Sequence, residues 1–262
     1  MKKLLLILFV PFIVNAQQIS VMDAVVLKEG SDADYLEIEE FWSKIHADII
    51  SQGKKMQWSI WKTLPGDPLT EDSKPANYMI FNSYESKEQY DASQDVDYVA
   101  IAQKVHGISK KKAQKMIDSS FDPREATRSY TLSIQAQAAA VGFNPTPGLV
   151  CSISLMQEKN DDYESFEKEV FKDQFQKAID IGAQTFWGFT RVEERSDNAY
   201  TQFSHICFNI DGENENTVEN DFKTQKLVEL GLQSREMIPN TGSMELISVS
   251  YTHLRAHETP LY

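Results

Sequence analysis

The chain contains the same pattern twice, and this internal repeat constrains its fold more than any other feature. The segment that starts at Gly53 reads GKKMQWSIWK, and the segment that starts at Gly182 reads GAQTFWGFTR. Each segment follows a long amphipathic stretch and precedes a second aromatic-rich run, so the repeated unit is much larger than a motif. A duplicated unit restricts the architecture strongly and leaves the chemistry open.

The first sixteen residues have the pattern of a secretory signal peptide. Lys2 and Lys3 form a positive end, the run from Leu4 to Val14 is apolar, and small residues precede a cleavage site after Ala16. The apolar run is too short to span a bilayer. We therefore expect a mature chain that begins near Gln17 and is extracytoplasmic, either periplasmic or secreted.

The last residues resemble a cloning sequence. Residues 249–259 read VSYTHLRAHET, which is similar to one reading frame of a transposon-end adapter used in DNA library preparation. We assign residues 249–262 to a sequencing-adapter artefact, and the natural C-terminus is then expected to be missing. His253 and His257 are accordingly excluded as ligands.

The charge of the chain limits its partners. The formal net charge is −13, and removal of the two leader lysines makes it −15. An acidic protein of this kind is not expected to bind nucleic acid or an anionic membrane surface. The composition, with 41% hydrophobic residues, is typical of a globular protein.

Both halves contain the same predicted order of elements: strand, helix, strand, strand, helical region, strand. The first unit covers residues 17–137, a linker with two prolines covers 138–148, and the second unit covers 149–248. This is the ferredoxin-like order, which forms an antiparallel sheet with helices on one face. The other face needs a cover. We therefore predict an α+β fold in which two tandem ferredoxin-like βαββαβ units pack their sheets face to face as a pseudo-dimeric α/β barrel.

In this order of elements the chain resembles the dimeric α/β-barrel superfamily, as a tandem-fused pair. That group includes antibiotic-biosynthesis monooxygenases, EthD-like and NIPSNAP-like proteins, chlorite dismutases and dye peroxidases. The resemblance covers residues 19–248 and rests on element order, the repeat and the aromatic strands. The haem-using relatives carry an axial histidine in the helical part of the second unit. The predicted helices 162–181 and 217–230 contain no histidine, so we expect no haem and no other cofactor.

If the sheets face each other, strand alternation predicts which side chains line the space between them. The expected ligand-binding residues are aromatic with a few polar groups: Trp58, Lys62, Tyr78, Asn82, Trp187, Phe189 and Phe203. Such a cavity suits a flat apolar or phenolic molecule. The alternative interpretation is that these rings simply form the core.

His205 and Arg191 are the candidate catalytic residues. His205 lies in the middle of a predicted strand beside pocket candidates, so it could act as a general base or ligand, or be a structural histidine. Arg191 or Lys62 could stabilise a developing oxyanion. Cys151 and Cys207 fall on strands that are adjacent in the predicted sheet, which allows either a disulfide or two buried thiols. No Cys/His spacing indicates a metal site.

Three functional hypotheses follow from these patterns. The first is an extracytoplasmic protein that binds a small aromatic or apolar molecule between the sheets, as a monomer or homo-oligomer. The second is an enzyme similar to the cofactor-independent monooxygenases, with His205 as base. The third is a structural or interaction protein with a filled interior. Convergent ionisable groups would favour the enzyme, whereas binding requires only shape.

Overall fold

The computed structural model describes residues 17–64, 74–238 and 242–251. The strands are β1 Ile19–Leu27, β2 Gln57–Thr63, β3 Tyr78–Tyr84, β4 Arg124–Ala139, β5 Val150–Glu158, β6 Gln184–Arg195, β7 His205–Asp211, β8 Arg235–Met237 and β9 Ser243–Tyr251. The helices are α1 Asp32–Ser51, α2 Lys87–Ser93, α3 Tyr98–His106, α4 Lys110–Asp118, α5 Tyr163–Phe166, α6 Lys172–Asp180 and α7 Phe222–Gln233. In the described ranges no helix combines the length and apolarity that a membrane span requires.

Most residues of the predicted signal peptide and of the adapter-like segment lie outside these ranges. The predicted signal peptide, residues 1–16, and both C-terminal histidines lie outside the described residues. Residues 249–251 of the adapter-like segment belong to β9 and pair with β2, where Ser59 is opposite Val249. The boundaries assigned to the two units and the linker stay predictions.

All nine strands belong to one antiparallel sheet in the order β7-β6-β4-β1-β3-β2-β9-β5-β8, and an additional β7–β5 pairing closes it. The result is a barrel of eight strands with helices outside, and β8 extends one edge of β5. The prediction of two ferredoxin-like units with open sheets packed face to face is therefore wrong. The pairs β2–β9 and β4–β6 join the halves edge to edge by hydrogen bonds. Joining the edges satisfies backbone groups that two open sheets would leave unpaired.

The two faces of the barrel wall carry different sets of apolar side chains. Alternate residues of every strand from β1 to β7, and of β9, point inward and fill the interior with a cluster that includes Met22, Tyr130, Leu132, Ile153, Phe186, Phe208 and Leu246. The other face packs against the helices. Trp58, Ile60 and Tyr78 lie under α1 with Tyr35 and Ile50. The space between the predicted sheets is thus the barrel interior, and apolar side chains occupy it.

The helices of the two halves differ in their packing and regularity. In the first half α1 packs against α3 and α4 through Phe41, Ile45, Ile101 and Ala113. Gly107 separates α3 from α4 with φ +62°, and the Ser109 hydroxyl caps α4. In the second half α5 continues through a π-helical turn, Glu167–Phe171, into α6. A π turn adds one residue to a helix and is frequent at functional sites.

The two cysteines lie on opposite faces of the barrel wall. Cys151 belongs to the interior cluster, whereas Cys207 packs outside with Trp187 and Phe189. Both thiols are free and buried. The disulfide alternative is therefore wrong, because a strand directs successive side chains to opposite faces and the β5–β7 register sets Cys207 opposite Ser154.

Candidate functional site

The predicted site residues lie in three places. Trp58, Lys62, Tyr78 and Asn82 are on the outer face of the first half, beneath or beside α1. Trp187, Phe189, Arg191 and His205 are on the outer face of the second half, beneath α5 and α6. Phe203 lies at one end of the barrel interior. The residues thus form two helix–sheet layers and one interior position, and their roles stay predictions.

The two layers repeat one arrangement. Each helix carries a tyrosine and, one turn later, a glutamate that pairs with an arginine from a strand, and a tryptophan faces them from the sheet. The sets are Tyr35, Glu39, Trp58 and Arg124 in the first half, and Tyr163, Glu167, Trp187 and Arg235 in the second. All four Tyr hydroxyl and Trp Nε1 groups are buried and, within the described ranges, have no hydrogen-bond partner. Most buried polar groups in proteins have a partner.

His205 is central to the second layer. Its side chain is 1% exposed, stacks on Phe189 with centroids 5.0 Å apart, and contacts the edge of Tyr163. His205 Nε2 lies 3.1 Å from Glu164 Oε1, and Nδ1 lies 2.8 Å from the Ser204 hydroxyl. Burial lowers the pKa of His205, and the hydrogen bond with Glu164 opposes this shift. A neutral ring that donates from Nε2 to the carboxylate accepts at Nδ1 from Ser204.

Glu164 connects this buried histidine with the surface. Its carboxylate accepts hydrogen bonds from Arg191, from Lys168 at 2.6 Å and from His205. Burial by itself would raise the pKa of Glu164, but these hydrogen bonds lower it to about 2. The Arg191 side chain is 44% exposed. Arg191, Glu164 and His205 therefore form a polar path from solvent to the aromatic interior of the layer.

Glu167 supplies a second carboxylate on the inner side of the layer. Its side chain is fully buried, and one oxygen contacts the guanidinium of Arg235. Burial raises the pKa of Glu167 to about 7, and Arg235 opposes that shift. Glu167 Oε2 has no partner among the described residues, like the Tyr163 hydroxyl and Trp187 Nε1. We call Tyr163, Glu167 and Trp187 the inner polar set.

The first layer contains a different polar group in its centre. Lys55 is 2% exposed, and its Nζ lies 3.0 Å from His46 Nδ1 and 2.6 Å from Asn82 Oδ1. Burial lowers the pKa of Lys55 to about 7, and Asp23 opposes the shift. His46 stacks between Trp42 and Trp58. Burial, followed by the charge of Lys55, lowers the pKa of His46.

Sequence reasoning missed most of the ionisable groups in both layers. Lys55, Glu39, Glu164 and Glu167 were not candidates. One signal could have found the glutamates, since the spacing of Tyr35 to Glu39 recurs in Tyr163 to Glu167 within corresponding helices. Metal ligands do not cluster in the part of the chain that the structure describes, where no three His, Cys, Asp or Glu side chains could hold an ion.

Comparisons with known proteins relate the chain to others through its fold. No model of a known protein family matches the sequence, and no curated protein matches it by sequence. A solved structure described as a "putative monooxygenase" from Lactobacillus acidophilus NCFM has a TM-score of 0.55 at 9% identity, covering 90% of this chain and 96% of that one. A second, also described as a "putative monooxygenase", from Fusobacterium nucleatum subsp. nucleatum, has a TM-score of 0.54 at 8% identity, covering 91% of this chain and 96% of that one.

These similarities concern the fold alone, because the identities are so low. The predicted resemblance is thus supported in part, since two structures described as putative monooxygenases share the fold of this chain. The TM-score to a chlorite dismutase-like structure is 0.43, too low to inform the site. The chemistry of this chain has to be argued from its own residues.

Proposed function

We propose that the protein binds a small, flat aromatic or apolar molecule with a polar group in the helix–sheet layer of the second half. The observation that carries the proposal is the inner polar set, in which three buried polar atoms make no well-formed hydrogen bond with the described residues, although the Tyr163 hydroxyl lies close enough to Glu167 to lower the pKa of that carboxyl. A buried polar group without a partner costs about 1–3 kcal/mol. A ligand that supplies these partners would recover that cost on binding.

The chemistry of the layer indicates the kind of ligand. The Tyr163 hydroxyl and Trp187 Nε1 can donate hydrogen bonds, and Glu167 can accept one. Phe175 stacks on Trp187 with centroids 4.8 Å apart, and Phe189 lies parallel to Trp187 at 6.3 Å. The aromatic surroundings favour an aromatic ligand, and the polar atoms favour one with a hydroxyl or carbonyl group. A phenol fits both requirements.

The test is the substitution Tyr163→Phe, with 2-naphthol as the probe. Loss of one hydroxyl is expected to weaken 2-naphthol binding by about three- to tenfold, measured by fluorescence titration. Tyr35→Phe, the equivalent change in the first half, is the matched control and should leave the affinity unchanged. Without ligand, Tyr163→Phe should stay within about 1 kcal/mol of the wild type, because the hydroxyl it removes makes no well-formed hydrogen bond with the described residues and acts only on the pKa of Glu167.

Two results would contradict the proposal. One is an unchanged affinity of Tyr163→Phe for 2-naphthol. The other is a wild-type protein that binds no flat phenol and carries no molecule in native mass spectrometry. The second result would favour the hypothesis of a structural or interaction protein.

A cofactor-independent monooxygenase-like enzyme is the second candidate function, and the convergence of His205, Glu164 and Arg191 favours it. A phenol that reached His205 Nδ1 in place of the Ser204 hydroxyl would lose its proton to the neutral imidazole, with Glu164 stabilising the resulting cation. The phenolate would then transfer electrons to O2 and form a ring hydroperoxide, and loss of water from this hydroperoxide would leave a quinone. Arg191 would hold Glu164 in position through their ion pair. Two solved structures described as monooxygenases share the fold of this chain, and this similarity supports the enzyme hypothesis at the level of the fold alone.

Oxygen consumption with 1-naphthol, whose oxygenation gives 1,4-naphthoquinone and water, separates the two candidates. His205→Gln should abolish enzymatic O2 uptake while 2-naphthol binding persists. Lys168→Met, which removes an exposed partner of Glu164 outside the aromatic layer, is the control. A wild-type rate equal to that of buffer alone would exclude the oxygenase for this substrate class.

The proposed site of action is outside the cytoplasm, with neither nucleic acid nor membrane as partner. The signal-like residues 1–16 and the acidic charge support this proposal. Protein recovered from its natural source should begin at Gln17. An intact Met1 in that material would contradict it.

A further inference from the structure

Two arginines at one end of the barrel have no carboxylate partner among the described residues. Arg128 lies near the start of β4 and is 9% exposed, and Arg195 is the last residue of β6. The other three arginines of the described ranges each pair with a glutamate, as Arg124 with Glu39, Arg191 with Glu164 and Arg235 with Glu167. Arg128 and Arg195 pair with none there. Burial of a charge without a counter-charge is expensive.

The surroundings of these two guanidiniums are aromatic and only partly polar. Arg128 lies over the ring of Tyr200, 4.6 Å from its centroid, and Arg195 lies 5.5 Å from the centroid of Phe203. Tyr130 is between them: its ring is 5.5 Å from that of Phe203, and its hydroxyl accepts from the Tyr200 amide at 3.1 Å. The β4–β6 register sets Tyr130 directly opposite Arg195. The five side chains thus form one group, which we call the arginine–aromatic end.

Both guanidiniums retain unused donors. Arg128 donates through Nη2 to the Lys74 carbonyl at 2.9 Å, and Arg195 donates through Nη2 to the Phe203 carbonyl. The Nε of each is buried and has no partner among the described residues. Cation–π contacts offset part of the cost of burying these charges. The Nε–H of each guanidinium is left without an acceptor among the described residues, and a carboxylate is the planar acceptor that a guanidinium binds most strongly.

We propose that the arginine–aromatic end is a binding site for a small aromatic carboxylate. The carboxylate would accept from the free edges of Arg128 and Arg195, and the rings of Tyr130, Tyr200 and Phe203 would contact its flat body. This site is separate from the layer of the proposed function, because Tyr130 and Phe203 belong to the interior cluster, whereas the inner polar set lies outside the barrel wall. The two proposals can therefore fail independently.

Calorimetric titration with benzoate tests the proposal, and benzamide, its neutral counterpart of the same shape, controls for charge. Benzoate is expected to bind at least about tenfold more tightly than benzamide, the ratio that one charge-assisted hydrogen bond produces. Arg195→Met and Arg128→Met should each weaken benzoate binding by about tenfold or more. Lys104→Met, which removes an exposed positive charge from the first half, should not change it. Equal affinities for the two probes would overturn the proposal, as would an equal loss in Lys104→Met.

A measurement on the wild-type protein keeps the test independent of variant folding. The 15N-edited NMR signals of the arginine Nε–H groups report on each side chain directly. Addition of benzoate should shift those of Arg128 and Arg195 and leave that of Arg235 unchanged. Without ligand, Arg195→Met should melt no lower than the wild type, because it removes a charge without a carboxylate partner. Unshifted Nε–H signals at saturating benzoate would refute the site.

Discussion

Arg235→Met is expected to lower the free energy of unfolding at pH 7.5 by about 3–5 kcal/mol, the usual cost of removing one partner of a buried ion pair. Arg235 contacts the fully buried Glu167, so the variant leaves a carboxylate without a counter-charge. Denaturant titration measures the loss. The double variant Arg235→Met/Glu167→Gln should recover most of it, because it removes the stranded charge. A single variant within about 1 kcal/mol of the wild type would contradict the assigned role of the pair.

The loss of stability caused by Arg235→Met should depend on pH in a defined direction. Burial raises the pKa of Glu167 from its ordinary 4.5 to about 7. Between pH 4.5 and 7 the carboxyl is protonated in the folded protein and ionised in the unfolded chain. Its contribution therefore lowers the free energy of unfolding as the pH rises through this range. Without Arg235 the upward shift grows, so the loss caused by Arg235→Met should be smaller at pH 4.5 than at pH 7.5. An equal loss at both pH values would indicate a packing effect instead.

Lys55→Met is expected to stabilise the protein by about 2–3 kcal/mol at pH 6.5, because it removes a charge from the interior of the first layer. Burial lowers the pKa of Lys55 from 10.5 to about 7. Below pH 7 the lysine is charged in both states, and the whole desolvation cost is present. The expected gain in stability is smaller than the desolvation cost, because His46 Nδ1 and Asn82 Oδ1 lose their hydrogen bonds with Lys55 Nζ.

The pH dependence gives the second readout for Lys55. Between pH 7 and 10.5 the unfolded chain binds a proton that the folded protein has released, so this group makes stability rise by about 1.4 kcal/mol per pH unit. Lys55→Met should lack this rise. Lys54→Met, at the exposed neighbouring residue, is the matched control and should retain it. A Lys55→Met variant that is less stable than the wild type at pH 6.5 would show that the hydrogen bonds outweigh the burial of the charge.

The repeat and the strand faces could be predicted from the sequence, but the closure of the sheet could not. Gly53 and Gly182 both have positive φ, +70° and +74°, and each leads into a strand with a buried tryptophan. Alternation correctly grouped Trp58 with Lys62 and Trp187 with Phe189. It could not tell which face the helices cover. Nor could it show that β2 pairs with β9, because edge pairing depends on backbone groups that every residue carries.

The polar part of the site was harder to predict than its aromatic part. His205 and Arg191 were chosen as strand residues near aromatic neighbours, and Glu164 does bring them together. Glu164 and Glu167 belong to a helix in which charged residues are frequent, so their burial has no distinct periodic signal. The π-helical turn Glu167–Phe171 also shifts the register of the helix face by one residue. Ideal helical spacing does not include such an insertion.

Closure of the barrel through β2–β9 and β4–β6 has an evolutionary consequence. In a dimer of two identical subunits, one mutation changes the same residue in both copies. After covalent fusion the two halves can differ in sequence, while the edge strands of each half still pair with those of the other. One layer could therefore acquire a buried lysine beside His46 while its counterpart acquired the acid–histidine pair of Glu164 and His205. The fused chain thus keeps the closed barrel of a symmetric dimer and has two helix–sheet layers that can change independently.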